Sequence, residues 1–170
     1  MYAELNDFRV SHHLENSCGN VTANMFKELG ELLVEIDRND ELKIVDELCD
    51  LVIFPINAME AMGHDAQSNI NRIAQDWNVT AKTAAIFTGN RLVNYIQTKD
   101  IKELAQIAAW CLVAIRTMGF SAELCVKEKA KCINSRNGSY DESQQKWCKD
   151  ENQDKSTIYQ PDYNSCRRGD

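Results

Sequence analysis

An all-α fold is predicted by three observations. Apolar residues recur at helical spacing in most of the chain, as at Met25, Leu29, Leu32, Leu33 and Ile36. Only two prolines and seven glycines interrupt the 170 residues, of which 44% are apolar. The apolar runs are bracketed by helix-capping residues at one end and by glycine at the other, Gly63 and Gly119 being the clearest stops. The length suits one compact domain with a sizeable core.

Taken in order, residues 2–16 read as a first helix with Leu5, Phe8 and Leu14 inward, ended by Cys18-Gly19-Asn20. His12 and His13 near its end are adjacent, so they point roughly 100° apart and do not serve one site. A second helix is expected over 22–38, capped by Thr22 or Asn20, and a third over 41–62 after the turn at 38–40. Pro55 lies inside the third and leaves the Leu51 carbonyl without its helical donor, which predicts a kink just past Asp50. Residues 65–79 read as a short helix or connector, carried by Ile70, Ile73 and Trp77. Helices over 80–97 and 100–118 follow, and Ser121 can cap a last one to about 133. Residues 1–133 then form the helical domain, a four-helix-bundle core with extra helices. Residues 134–170 are polar with isolated anchors at Trp147, Ile158, Tyr159 and Tyr163, and are expected to pack on that domain as an irregular C-terminal extension.

Two helix pairs resemble each other. TANMFKELGELLVEI (22–36) can be laid on TAAIFTGNRLVNYI (83–96), and VDELCDLVIFPINAMEAMG (45–63) on IKELAQIAAWCLVAIRTMG (101–119). The second pair keeps the apolar pattern and lacks most of the acids, which suggests a pseudo-symmetric bundle with one acidic end.

A net charge of −7 without a basic block disfavours a nucleic-acid partner. No apolar run reaches about 18 residues, so no membrane span is expected. Seven cysteines, an odd number with no CxxC, point to neither a disulfide framework nor a zinc site. Reduced thiols in the cytoplasm are the simplest account, the host's cytoplasm if the gene belongs to a phage.

The chemistry is concentrated at Glu28 and Glu31, then Glu47 and Asp50. Each pair is spaced i, i+3, on one side of its helix. Both are set in apolar sequence, where carboxylates need basic partners or a cation. Magnesium takes oxygen ligands and retains waters, so two such helices side by side suit it. Glu35 and Asp46 are reserves. The bland alternative is a solvated face with Lys27–Glu31 and Lys43–Glu47 as surface pairs.

Glu28-x-x-Glu31 followed by Glu47-x-x-Asp50 resembles the ExxE…ExxD signature of the all-α nucleoside triphosphate pyrophosphohydrolases, the MazG-like group. KELGELLVEI and VDELCDLVIF are similar to that family's two metal helices, and KEKAKCINSRNGSYDESQQKW to the basic segment that follows the bundle in phage-type members. The resemblance implies conversion of a (d)NTP to the monophosphate and pyrophosphate with Mg²⁺ or Mn²⁺, by a homodimer or homotetramer. It implies Glu28, Glu31, Glu47 and Asp50 as metal ligands, with Glu28 and Glu31 also catalytic. Lys129, Asn134 and Arg136 become candidates for phosphate or base contacts, with Lys127 and Lys131 nearby; Tyr140 is either a base-stacking residue or a packing anchor. Lys27 stands where many members carry a further acid, which leaves the number of metal ions open. A purine dNTP, dGTP or dATP, is one version of the substrate; a dUTP, dCTP or phosphoribosyl-ATP pyrophosphohydrolase is another. A non-catalytic helical interaction protein is the reading from a different class.

Overall fold

The computed structural model describes Leu5 and residues 21–73, 78–141 and 146–169. The fold is all-α. Its helices are α1 (Val21–Arg38), α2 (Glu41–Ala61), α3 (Ala66–Asn71), α4 (Ala81–Thr98), α5 (Ile101–Thr117) and α6 (Ala122–Asn134). Of the helix expected over 2–16, Leu5 is helical and buried; Phe8, His12, His13 and Leu14 lie outside the described residues, as do Cys18 and Trp77. The six described cysteines are free thiols. No helix among the described residues is long and apolar enough to cross a membrane.

Local signals set the helix ends. Asp40, Asp65, Thr80 and Asp100 accept backbone N–H groups of the first turns of α2, α3, α4 and α5, each satisfying a donor that the helix itself cannot. Ser121 stands at the start of α6 but makes no side-chain cap. Its backbone N–H donates instead to the Cys166 carbonyl at 2.8 Å. Gly63 and Gly119 take φ of 77° and 88° after α2 and α5, a conformation in which a Cβ is disfavoured. Pro55 lies inside α2 without ending it.

The four long helices pack in a closed ring. α1 lies against α2 and α4, and both α2 and α4 lie against α5. Met25, Leu32, Leu48, Val52, Leu92, Leu104 and Cys111 are among the side chains buried between them. Helix α6 crosses α2 and α5, while α3 leans on α5 and α2.

The two helix pairs match in backbone detail. Asn39 and Lys99 both take φ of 56°, and each is followed by an aspartate cap. The buried positions Met25, Glu28 and Leu32 of α1 fall on Ala85, Thr88 and Leu92 of α4. That register differs by one residue from the one the sequence suggests at Thr22/Thr83, and it sets Glu31 opposite Arg91. α2 and α5 match from their glycine ends, so α2 carries an additional first turn, residues 41–44.

The C-terminal stretch is more regular than expected. Strand β1 (Gly138–Asp141) pairs antiparallel with β2 (Lys146–Lys149). Four-residue strands with polar flanks are too short for alternation to register in the sequence. The side chains of Tyr140 and Trp147 lie outside the described residues. The strap that follows returns to the helices: Tyr163 and Cys166 are buried, and Arg168 N–H donates to the Gly119 carbonyl at 2.8 Å.

Candidate functional site

The periodicity of α1 places Glu28 on its inward stripe, between Met25 and Leu32, whereas Glu31 falls outside it and is exposed. On α2, Glu47 and Asp50 face α1. Carboxylate oxygens of Glu28, Glu47 and Asp50 lie within 4.8 Å of one another. Three of the four expected ligands thus converge. Glu31 sits at the rim, where Lys27 Nζ approaches its carboxylate at 2.7 Å and that of Glu28 at 3.2 Å. The expected Lys27–Glu31 surface pair therefore forms, and Glu35 pairs on the surface with Arg38 at 2.8 Å. Among the described residues Glu47 has no ion pair, and its Oε2 is buried with no hydrogen-bond partner.

The second charge system adjoins the first through Asp50. Lys129 of α6, 3% exposed, reaches Asp50 at 2.6 Å and Asp46 at 3.0 Å. Asp46 and Asp50 are one helical turn apart, so a single ammonium spans both. Tyr163 from the strap donates to the other Asp46 oxygen at 2.5 Å. Lys129 is thus brought to the acids, as an internal counter-ion. Burial works against its charge, but Asp50 and Asp46 outweigh burial and hold its pKa above the ordinary lysine value.

Electrostatics separate the acids. Burial, then the Asp50 charge, pushes the Glu47 carboxyl up to about 8. Burial and Asp50 likewise raise Glu28, partly offset by Lys27. Burial raises Asp50 although Lys129 opposes it. Glu31 goes the other way, held low by its hydrogen bond to Lys27. These upward shifts come first from burial and then from mutual repulsion, so Glu28, Glu47 and Asp50 hold protons more readily than free carboxylates do.

That mutual repulsion, the orphaned Glu47 oxygen and the all-oxygen donor set fit a hard divalent cation. Two oxygens on opposite sides of an octahedral Mg²⁺ stand about 4.2 Å apart, so carboxylates within 4.8 Å need only a small adjustment to share one.

Of the expected substrate residues, Arg136 lies beside the acids: its charge acts on Asp50, and its guanidinium donates to Cys132 Sγ at 3.5 Å. Asn134 is on another face, lining a small depression with Lys127, Lys131 and Cys166. Lys131 is engaged there by Glu128 at 2.5 Å. Sequence reasoning missed Lys149 at the end of β2. Burial and the charges of Arg136 and Lys27 lower its pKa, against the pull of Asp50 and Glu28, so it lies within electrostatic reach of the cluster. It missed Tyr163 as an Asp46 partner as well. Neither carries a local signal, since each is delivered by the fold of the tail.

Comparison of the chain with protein-family models, with curated proteins and with solved structures finds no match.

Proposed function

We propose that this chain is a divalent-metal-dependent nucleoside triphosphate pyrophosphohydrolase, releasing the monophosphate and pyrophosphate. The observation that carries the reading is the convergence of Glu28, Glu47 and Asp50 around a buried carboxylate oxygen without a partner. Those three residues would hold Mg²⁺ or Mn²⁺, which when bound neutralises phosphate charge and acidifies a water. Glu31, exposed at the rim and ionised beside Lys27, would accept a proton from an attacking water. Lys27, Arg136 and Lys149 surround the acids with positive charge suited to phosphate oxygens. The resemblance supplies the reaction type and a homodimer or homotetramer as the working form. A purine dNTP is the first substrate to try, with dUTP, dCTP and phosphoribosyl-ATP as alternatives.

The test is a pyrophosphate-release screen over the eight common NTPs and dNTPs with Mg²⁺ or Mn²⁺, the products identified by chromatography. Release of monophosphate and pyrophosphate from at least one, lost in Glu47→Gln, is expected. Release of orthophosphate would instead place the cut at the γ-phosphate.

One observation favours a second reading, a non-catalytic helical interaction protein. Lys129 already spans Asp46 and Asp50, as a structural ion pair would. No activity on any nucleotide, with melting temperature indifferent to both metals, would leave that reading standing.

A further inference from the structure

The outer face of α1 and α4 is apolar where solvent favours charge. Phe26 and Leu33 of α1 are exposed there, as are Val93 and Ile86 of α4, the last to 59%. They sit on two helices that pack against each other, unlike single apolar residues scattered over a surface. On the α4 side the sequence offers no charge to soften them. Between Lys82 and Lys99 the only charged residue is Arg91, and its guanidinium is turned to Glu103 and the Phe87 ring. A surface helix ordinarily carries charges on the face away from the core.

The four side chains are matched in pairs. In the register that sets Met25 on Ala85 and Leu32 on Leu92, Phe26 falls on Ile86 and Leu33 on Val93. Leu29 falls on Gly89, and these two matched positions are neighbours: a Cβ at Gly89 would stand 3.6 Å from the Leu29 side chain. The pseudo-two-fold relating the helix pairs therefore passes through the seam between α1 and α4. A two-fold that exchanges neighbouring helices across their seam runs them antiparallel. Phe26 and Val93 then share one end of the apolar face, Leu33 and Ile86 the other. An isologous dimer needs a patch complementary to itself, and a patch built on a two-fold meets that need.

Size and charge agree. Two 18-residue helices side by side cover about 540 Å² in plan. Val34 and Ile96, also exposed, add to that footprint, and the smaller specific interfaces take about 600 Å² per partner. Two copies of a chain with net charge −7 repel each other in general, so an uncharged face is where they meet at least cost. A partner selected by charge would find none there to read.

We propose that the α1/α4 face docks a second copy of this chain about a two-fold axis, four helices closing one apolar layer. Glu28 lies two residues on from Phe26, about 160° around α1, so each protomer keeps its acid cluster outside the contact. The interface stands independently of the function proposed above, which names a dimer or tetramer without placing its contact.

Sedimentation velocity of the full chain over a dilution series tests it. Wild type should sediment with the mass of two chains and dissociate only on dilution. Ile86→Glu and Val93→Glu each bring two carboxylates into the contact, one from each copy, and should raise the dissociation constant by about a hundred-fold or more. Leu124→Glu alters an equally exposed apolar residue on α6 and should leave it unchanged. A wild-type chain monomeric at every concentration overturns the proposal and leaves the face to a different partner. A dimer that persists in both α4 variants, or that only Leu124→Glu dissociates, overturns it as well. A tetramer that both α4 variants reduce to dimers supports it. Circular dichroism melts show whether the variants fold. If a glutamate variant does not, Ile86→Ala decides: weakening by about ten-fold supports the interface, and unchanged association overturns it. Pyrophosphate release by a chain that stays monomeric would keep the enzyme and remove the interface; a dimer without nucleotide hydrolysis would do the reverse.

Discussion

Glu47→Gln separates a metal ligand from a structural acid. The substitution keeps the side chain's shape and removes its charge. Burial and Asp50 push the Glu47 carboxyl up to about 8, so at neutral pH the metal-free protein holds it mostly protonated, and the amide is nearly its isostere. The unfolded carboxyl titrates near its ordinary value of about 4.3. Between those two values the folded chain keeps a proton that the unfolded chain has lost. Stability of the metal-free protein therefore falls as pH rises through that window, by at most about 1.4 kcal/mol per pH unit. Glu47 is partly exposed, and solvent screening reduces this to roughly 1–2 kcal/mol in all. Glutamine removes the penalty, so in EDTA near pH 7.5 the variant should melt a few degrees above wild type and with less pH dependence.

Metal reverses the order. At a hundred-fold excess over Kd, a ligand that binds only the folded state adds about 2.7 kcal/mol, roughly 5–10 °C for a chain of this size. Losing one of three carboxylates should remove most of that gain. Thermal melts at about pH 5.5 and 7.5, in EDTA and in Mn²⁺, read both effects: the curves should cross, the variant above wild type without metal and below it with metal. A variant less stable than wild type in EDTA at both pH values would show that Glu47 is a structural anion. An undiminished metal response would remove it from the ligand set.

Lys129→Met should cost about 3–5 kcal/mol, because it strands Asp46 and Asp50 in a buried place; adding Asp50→Asn should recover part of the loss in urea unfolding. Glu128 is opposed by burial but held low by hydrogen bonds from Lys131, Tyr159 and the Asp162 N–H. The stability it lends the strap is complete above its unfolded value of about 4.3 and is lost as pH falls through the lower folded value. Hydrogen exchange should show residues 158–163 opening in acid before α2 and α5, and Glu128→Gln should abolish that step. Gly30 lies within α1 with open space where a Cβ would go, so Gly30→Ala should stabilise by about 1 kcal/mol in the same unfolding assay.

Much of the site was legible because it depends on period. The inward stripe of α1 and the apolar run of α2 fix where Glu28, Glu47 and Asp50 point, and a 3.6-residue repeat suffices to read that. Spacing i, i+3 was less informative than it looked: Glu28 is buried and Glu31 exposed on the same helix, because a 60° offset is enough to cross the edge of a packed stripe. Lys129 was legible as a basic residue near the acids but not as the partner of Asp46 and Asp50, since that depends on how α6 crosses α2. Arg136 and Asn134 stand two residues apart and serve different faces once the helix ends. The hairpin and strap bring Lys149, Lys155 and Tyr163 to the same region through long-range closure, which leaves no local pattern.

The second helix pair shows that a carboxylate without a basic partner is not imposed by packing. There Glu103, which matches Glu47, meets Arg91 at 3.2 Å. The Arg91 guanidinium lies 4.5 Å over the Phe87 ring, itself stacked on Trp110 at 3.6 Å. Thr88 and Gln106 stand where the first pair has Glu28 and Asp50. The same backbone thus accommodates a carboxylate with an arginine of its own, from the position that matches Glu31. Glu31→Arg should import that solution: a guanidinium beside Glu47 and Glu28 supplies the counter-charge in cis, raising the melting temperature in EDTA and removing the response to Mn²⁺. Charge repulsion with Lys27, which is 61% exposed, subtracts little because solvent screens it. If the variant were no more stable in EDTA and still gained stability with metal, the acids of the first pair would not be short of positive charge, and the case for a cation there would fall with that premise.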